Sequence, residues 1–198
     1  MANNLDAAGL DLIFRQARTH NGWQAKPVDD ATLTALYDLA KMGPTAANSH
    51  PLRVVFVKSA AGKELLRPAM APGNLEKTMA APVTAIMAWD TTWYENMPKL
   101  FPVVPTMRDN LAGLPTEARE RNASQSAHLA AGYFIIAARA LGLDCGPMAG
   151  FAADKVNAAF FGDGKWQTLL LINLGYGDPA KLYPRGPRLD FADACKIV

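Results

Sequence analysis

Residues 115–142 read PTEARERNASQSAHLAAGYFIIAARALG and are the longest helical stretch that the sequence predicts. Pro115 suits the first turn of a helix, and Gly142 suits a C-terminal cap. The first half of the stretch is charged, but from Ala127 onward it is apolar on nearly every side. A helix of that kind belongs at the centre of a fold or at an interface between subunits.

The sequence on both sides of this helix predicts shorter helices and strands that alternate irregularly. Helices are expected over residues 5–17, after an N-cap at Asp29, and over residues 60–68, 72–80 and 154–161, the last capped by Asp154; strands are expected over 53–58, 83–89 and 167–176. Residues 91–108 are predicted as a loop or broken helix, residues 146–150 as a loop between two helices, and 179–198 as a tail. Strands separated by helices without regular βαβ units indicate an α+β fold, in one domain over residues 1–198.

Two of these helices are expected to turn an apolar stripe towards the core. The stripes comprise Leu5, Leu10, Ile13, Phe14 and Ala17 in the first helix, and Leu33, Leu36, Tyr37 and Ala40 in the second.

The composition excludes several classes of protein. The net charge is +2 with the basic residues scattered, so no nucleic-acid face is expected. The N-terminus has no signal-peptide pattern, and the apolar run Tyr133–Leu143 contains Arg139 and is too short for a bilayer, so no membrane partner is expected. Cys145 and Cys195 form no CxxC pair, which favours a reducing cytoplasm.

The familiar local motifs of metal and nucleotide sites are missing from the sequence. His20, His50 and His128 have no partner at zinc-ligand spacing, so no metal site is expected. The sequence also lacks a P-loop, a GxSxG nucleophile motif and a GxGxxG after a strand.

Four polar loops remain, at residues 18–21, 74–77, 146–150 and 185–188. Their arginines and a threonine suit a phosphate, and Lys77 suits the N1/O2 edge of a flavin, where reduction places negative charge. Glycine at 146 and 150 lets backbone N–H groups approach the flavin N5/O4 edge. Together the loops supply what FMN needs, although loops of this kind, taken one at a time, are most often solvated turns.

Four segments in order resemble the nitroreductase superfamily, over nearly the whole chain. They read ARTHNGW at 17–23, GPTAANSHP at 43–51, PKLFP at 98–102 and PRGPRL at 184–189, and within the superfamily they resemble the HadB/RutE subfamily, which includes malonic semialdehyde reductases. The resemblance implies a nitroreductase-like fold, with a central, mainly antiparallel sheet flanked by helices. It also implies an intertwined homodimer with FMN at the interface.

The resemblance assigns cofactor-binding roles residue by residue. They fall on Arg18, Thr19, Asn21, Asn48, Asn74, Lys77, Ala149, Gly150, Arg185 and Arg188. Two positions depart from the family pattern: Asn21 stands where a basic residue is usual, and Ala149 replaces a carboxylate.

The implied reaction is ping-pong transfer of a hydride from NADH or NADPH, through flavin N5, to a small acceptor, with no catalytic side chain as nucleophile. The leading acceptor is malonic semialdehyde, whose carboxylate would be held by Arg108 or Lys99. Three alternatives stay open: a generalist nitroaromatic or quinone reductase, a flavin-binding protein without nicotinamide turnover, and a structural domain without cofactor.

Overall fold

The computed structural model describes residues 4–198, and its centre is a four-stranded antiparallel sheet. The strands are β1 (Leu52–Val57), β2 (Val83–Asp90), β3 (Asp144–Met148) and β4 (Trp166–Gly175), in the spatial order β1-β2-β4-β3. Val55 lies opposite Ile86 in the first pair, and β2 carries a bulge between Met87 and Ala88 where it faces β4. The predicted α+β class and its antiparallel sheet are confirmed.

Helices cover the sheet and connect its strands. They are α1 (Ala7–Leu10), α2 (Asp30–Ala40), α3 (Ala60–Leu66), α4 (Pro72–Ala80), α5 (Met97–Leu100), α6 (Met107–Ala112), α7 (Thr116–Ala140), α8 (Ala153–Phe160) and α9 (Phe191–Ala194). Over residues 4–198, none of the helices combines the length and the apolarity needed to cross a membrane. The region predicted as a loop or broken helix, 91–108, contains a 3-10 turn followed by α5 and the start of α6.

The alternation of side chains along β2 places apolar residues on both faces of the sheet. Ala85 and Met87 pack with α2 and α7, whereas Ile86 and Ala88 pack with a second cluster that includes Leu66 of α3. The sheet is therefore the middle of three layers, with α7 as the central helix of one outer layer.

The C-terminal end of α7 follows the sequence prediction. Gly142 has a φ of +76°, and the backbone N–H of Leu143 donates to the carbonyl of Ala138 at 2.9 Å. These features form the glycine-dependent cap that ends helices. The cap turns the chain directly into β3.

The second half of α7, predicted to be central or to lie at an interface, is buried on one side only in the single chain. Its alanines and Phe134 face the core, but Leu129 is 55% exposed and Tyr133 is 43% exposed. Leu5, Leu10, Phe14 and Tyr37, predicted to face the core, are also exposed. We call the exposed apolar side of α7, formed by Gln125, His128, Leu129, Gly132, Tyr133 and Ile136, the α7 face.

The segment predicted as a loop over residues 146–150 instead begins with strand β3. Gly146 and Pro147 are poor strand formers, but β3 is an edge strand, where the missing N–H of proline is tolerated. A Cβ at residue 146 would lie 2.7 Å from the carbonyl oxygen of His20, so glycine permits this close approach. Asp154, predicted as the cap of α8, lies inside its first turn.

Candidate functional site

A pocket of about 320 Å³ lies between the segment after the first helix and the C-terminal tail. Its lining comprises Ala17, Arg18, Thr19, Asn21, Arg139, Tyr183, Pro184, Arg185, Gly186 and Arg188. Four of these residues are arginines and none is acidic, so the pocket favours an anion. We call it the arginine pocket. It brings together five of the ten cofactor-binding residues that the sequence predicted.

Backbone carbonyls, and not carboxylates, hold these arginines in place. Arg185 donates through Nη2 to the carbonyls of Arg15 at 2.8 Å and Ala17 at 3.0 Å, and Arg18 donates to the carbonyl of Tyr183. The tail and the first loop thereby fix each other. Because carbonyls carry no net charge, the positive charge of the pocket stays available to a ligand.

Arg139 is a residue of this pocket that the sequence analysis did not assign. It reaches the pocket from the last turn of α7, where its Nη1 donates to the carbonyl of Ile13 at 3.1 Å. Its Nε is buried and has no hydrogen-bond partner. A buried donor of this kind is costly unless a ligand satisfies it. The signal in the sequence was a single charge inside the apolar run Tyr133–Leu143.

Lys77 lies next to the arginine pocket, because its Nζ donates to Oδ1 of Asn21 at 3.1 Å. Its backbone is also held, since Trp23 Nε1 donates to the carbonyl of Lys77 at 3.0 Å. The amide oxygen of Asn21, where the family pattern has a basic residue, accepts a hydrogen bond from this ammonium. A basic residue at position 21 would repel the Lys77 ammonium, whereas an amide oxygen orients it.

Asn74 and Gly150 meet on the other side of Lys77. The side-chain amide of Asn74 donates to the carbonyl of Gly150 at 2.9 Å, and a Cβ at residue 150 would lie 2.6 Å from that same amide nitrogen. Ala149 and Gly150 are both exposed, in the turn that follows β3. The small residues leave room for a planar ligand against this turn.

Asn48 lies in a strained segment that makes no polar contact with the groups around Lys77. Among residues 4–198, positive φ values at non-glycine positions occur at Ala47 (49°), Asn48 (54°) and His50 (41°). Asn48 donates to the carbonyl of Leu100 at 2.8 Å, and its Oδ1 contacts His50 Nε2 at 2.7 Å. Strain of this kind concentrates at ligand clamps and active sites.

Lys99 and Arg108 are the two residues predicted to bind the carboxylate of an acceptor, and both follow Asn48 in the sequence. Lys99 is exposed on α5. Arg108 donates to both carboxylate oxygens of Glu95, at 2.6 and 3.0 Å, and to Asp109 at 2.9 Å. These hydrogen bonds raise the pKa of Arg108 above its usual value. An acceptor would have to displace Glu95 to reach this guanidinium.

Burial makes the Cys145 thiol unreactive. Burial raises its pKa to about 12, so the thiol stays protonated at neutral pH and cannot serve as a nucleophile. In the part of the chain that the structure describes, no three His, Cys, Asp or Glu side chains converge on a common point.

The fold and the site define an α+β protein with an arginine pocket suited to an anion, next to an ammonium, an amide and a glycine turn. The Nitroreductase family model matches residues 14–176, and the chain belongs to this family.

Two curated relatives and one solved structure are similar over almost the full length. A protein of Ralstonia nicotianae is 56% identical over 195 residues, 98% of either chain, and one of Rhodopseudomonas palustris is 50% identical over 201 residues, 100% of either chain. Both bear the provisional name NADH dehydrogenase/NAD(P)H nitroreductase. A nitroreductase-like structure from Exiguobacterium sibiricum, solved in complex with FMN, has a TM-score of 0.87 at 17% identity and covers 100% of either chain. This structural likeness shows the fold.

Proposed function

We propose that this chain is an FMN-dependent NAD(P)H oxidoreductase whose residues 1–198 form a single cofactor-binding domain. The observation that carries the proposal is the arginine pocket, with the unpartnered Nε of Arg139, directly beside Lys77. The site offers arginines for the phosphate of FMN, an ammonium for the N1/O2 edge of the flavin, and backbone N–H donors for its N5/O4 edge. The family, the names of the two relatives and the FMN complex of the E. sibiricum protein support the same reading. We place its activity in the cytoplasm.

Residues of different charge are proposed to bind different parts of FMN. Those proposed for the phosphate are Arg18, Thr19, Arg139, Arg185 and Arg188. Lys77, oriented by Asn21, would hold the N1/O2 edge, together with the neighbouring Asn74. The backbone of Ala149 and Gly150 would supply donors to N5. We propose Asn48 as a ligand supplied from the strained segment of a second copy, since its contacts within one chain lead elsewhere.

When bound, FMN supplies hydride transfer between a nicotinamide nucleotide and the acceptor. The protein supplies position and charge. The ammonium of Lys77 stabilises the negative charge that reduction places on the flavin edge, and the Asn21 amide holds that ammonium in place.

The test of this function is NAD(P)H oxidation followed without oxygen. The FMN-loaded protein should bleach its flavin absorbance within one turnover of added NADH or NADPH, and an acceptor added afterwards should restore the colour. If the flavin absorbance is bleached but no tested acceptor restores it, the result would indicate a flavin-binding protein without acceptor turnover. No bleaching by either nucleotide contradicts the oxidoreductase assignment.

For the acceptor we propose malonic semialdehyde, on the resemblance of segments 17–23, 43–51, 98–102 and 184–189 to the HadB/RutE subfamily. A generalist reductase of nitroaromatics and quinones is the second candidate. One observation in its favour is that Glu95 already binds Arg108, the cation expected to bind a substrate carboxylate. The names of the two relatives also favour it. The two candidates differ in their dependence on Arg108.

Arg108→Ala is expected to raise the KM for malonic semialdehyde by about tenfold, since a charge-assisted hydrogen bond to the substrate is lost. Turnover of an uncharged quinone should barely change. Lys99→Ala serves as the matched variant on α5. Equal losses with both substrates in Arg108→Ala would indicate that its contact with Glu95 is structural. A KM that rises only in Lys99→Ala would transfer the role to Lys99, and no change in either variant would favour the generalist.

We propose further that two copies form an intertwined homodimer through the α7 face. This face presents Leu129, Tyr133 and Ile136 around an open concavity of about 710 Å³. The tail carries further exposed apolar residues, Leu189, Phe191 and Ile197, and α1 adds Leu10. Apolar surfaces of this extent mark interaction sites. A second copy would cover the α7 face, and the tail would pack on its partner.

Leu129→Glu should convert the dimer to a monomer, because it places a charge in the centre of the proposed interface. Light scattering at micromolar concentration should give about twice the 21.3 kDa chain mass for the wild type, and the chain mass itself for the variant. Leu65→Glu is the control, since Leu65 of α3 is 53% exposed, nearly the same as Leu129, but lies outside the α7 face. A wild type that scatters as a monomer contradicts the dimer.

A further inference from the structure

Lys63 is buried beneath the proposed flavin site, although lysine is almost never fully buried without a counter-ion. It is 4% exposed, on α3. Its Nζ donates to the carbonyl of Thr78 at 2.8 Å and to Oγ1 of Thr84 at 2.5 Å. No carboxylate among residues 4–198 lies within ion-pair distance of it. The protein thus keeps a cation in its interior without neutralising it.

A directed chain of hydrogen bonds leads from this cation towards Lys77. An ammonium only donates, so the hydroxyl of Thr84 is free to donate onward to Oδ1 of Asn173, at 2.7 Å. The amide nitrogen of Asn173 then donates to the carbonyl of Lys77 and to the hydroxyl of Thr78, both at 3.3 Å. Every member of the chain is buried or nearly so.

The hydrogen-bond chain ends at the C-terminus of α4, the helix that carries Asn74 and Lys77. The last carbonyls of a helix have no partner within it and carry partial negative charge. Here the carbonyl of Lys77 accepts from Asn173 and Trp23, and the carbonyl of Thr78 accepts from the Lys63 ammonium. A buried cation at this end is favourable for the helix and fixes its last turn.

The same hydrogen-bond chain extends to the glycine turn after β3, which is proposed to lie beside flavin N5. The hydroxyl of Thr78 contacts Sδ of Met148 at 3.4 Å, and Met148 is the last residue of β3 before Ala149 and Gly150. The Thr78 end of α4 therefore touches the base of the turn, while Asn74 of the same helix binds its Gly150 carbonyl.

We propose that Lys63 is a positioning residue, which holds α4 and the turn after β3 in the arrangement that receives the isoalloxazine ring. This inference rests on the proposed FMN site. Lys63 does not reach the arginine pocket, so its contribution is to the flavin ring and not to the phosphate.

The surroundings of Lys63 leave its charge sensitive to pH. Burial lowers the pKa of Lys63 to about 8. The strands that pack on it contribute only the uncharged Thr84 and Asn173. The charged side chains on the neighbouring elements are Glu64 on α3, Arg67 directly after it, Glu76 and Lys77 on α4, and Asp154 and Lys155 on α8. Among residues 4–198, none of them forms an ion pair with Lys63.

The sign of the resulting pH dependence follows from linkage. In the unfolded chain Lys63 keeps its ordinary pKa of 10.5, so between pH 8 and 10.5 the unfolded chain binds more protons than the folded one. The free energy of unfolding of the wild type should therefore rise with pH in this window, relative to Lys63→Met. A difference that is flat with pH would show that Lys63 is not a buried cation, and would overturn the proposal.

The decisive experiment measures dissociation constants for FMN and for riboflavin, which lacks the phosphate, from flavin fluorescence at pH 7 and pH 9. Lys63→Met should bind both ligands at least about tenfold more weakly at pH 7. The wild type should weaken between pH 7 and pH 9 as the ammonium is lost, whereas Lys63→Met should not. Lys155→Met, an exposed lysine on α8, should match the wild type throughout.

Thr84→Val breaks the hydrogen-bond chain and keeps the cation, so it decides the outcome if Lys63→Met does not fold. It should weaken both ligands several-fold and retain the change between pH 7 and pH 9. Wild-type affinity for both ligands in a folded Lys63→Met, or in Thr84→Val, overturns the positioning role while the FMN site stands. A wild type that binds neither ligand refutes the proposed function itself, and the inference with it.

Discussion

Replacing Arg139 with methionine should weaken FMN binding by about 10- to 150-fold, the loss expected for one hydrogen bond to a charged group, about 1.5–3 kcal/mol. The reason is the buried Nε of Arg139, which has no partner in the protein and lies in a pocket with three further arginines. Methionine keeps the length and the apolar stem of the side chain. Fluorescence titration with FMN measures the loss.

Riboflavin is the matched ligand for this variant, because it lacks the phosphate that Arg139 is proposed to bind. Its affinity should be unchanged. Arg121→Met, an exposed arginine near the other end of the same helix, should bind FMN as the wild type does. Equal losses for FMN and riboflavin in Arg139→Met would mean that the residue supports the fold through Ile13, and that the phosphate lies elsewhere.

Lys77→Met should lower the flavin midpoint potential by roughly 30–60 mV, which is a charged interaction of about 1.5–3 kcal/mol expressed for a two-electron couple. Hydride uptake from NADH should slow in parallel, because the charge that reduction creates is less stabilised. The fold should remain intact, since the backbone carbonyl of Lys77, and not its ammonium, holds Trp23 and Asn173. Potentiometric titration and stopped-flow reduction give the two values.

The control for this variant is Lys77→Arg, which keeps the charge next to Asn21 and should retain most of the potential. An unchanged potential in Lys77→Met would mean that the ammonium serves only its contact with Asn21. A potential that falls equally in Lys77→Arg would assign the effect to a displaced α4 and not to the charge.

Local signals in the sequence were sufficient to place several strands and helices. Strands β1, β2 and β4 lie within one residue of their predicted bounds, α4 spans 72–80 as predicted, and Asp29 caps α2 through the backbone N–H of Thr32. Short apolar runs and side-chain caps are local signals, so one sequence is enough to find them.

Features that depend on contacts between residues far apart in the chain could not be predicted from the sequence. β3 contains Gly146 and Pro147, and it is a strand only because β4 pairs with it. Arg139 was noted as a charge that interrupts an apolar run, and its place beside Arg18 follows from how α7 packs against the first loop. The α7 face belongs to a segment predicted to be central or at an interface, and it is open in the single chain, where a second copy is proposed to cover it.

The arrangement of the predicted site residues was also beyond the sequence. Lys77 and Asn21 are far apart in the chain and meet at 3.1 Å, and Asn74 meets Gly150. The resemblance named these residues, but only the fold explains why an amide suits position 21. Arg108 was chosen for its ability to bind a carboxylate, and it does bind one, that of Glu95.

The central claim is that the arginine pocket and Lys77 together hold FMN, and the identity of the chromophore tests it most directly. Protein reconstituted with a mixture of FMN and FAD, washed and then denatured, should release FMN alone, in one equivalent per chain, on chromatography. The arginine pocket has about 320 Å³, and its four arginines are proposed to bind the terminal phosphate of FMN. Release of FAD, or a colourless protein after reconstitution, would contradict the account.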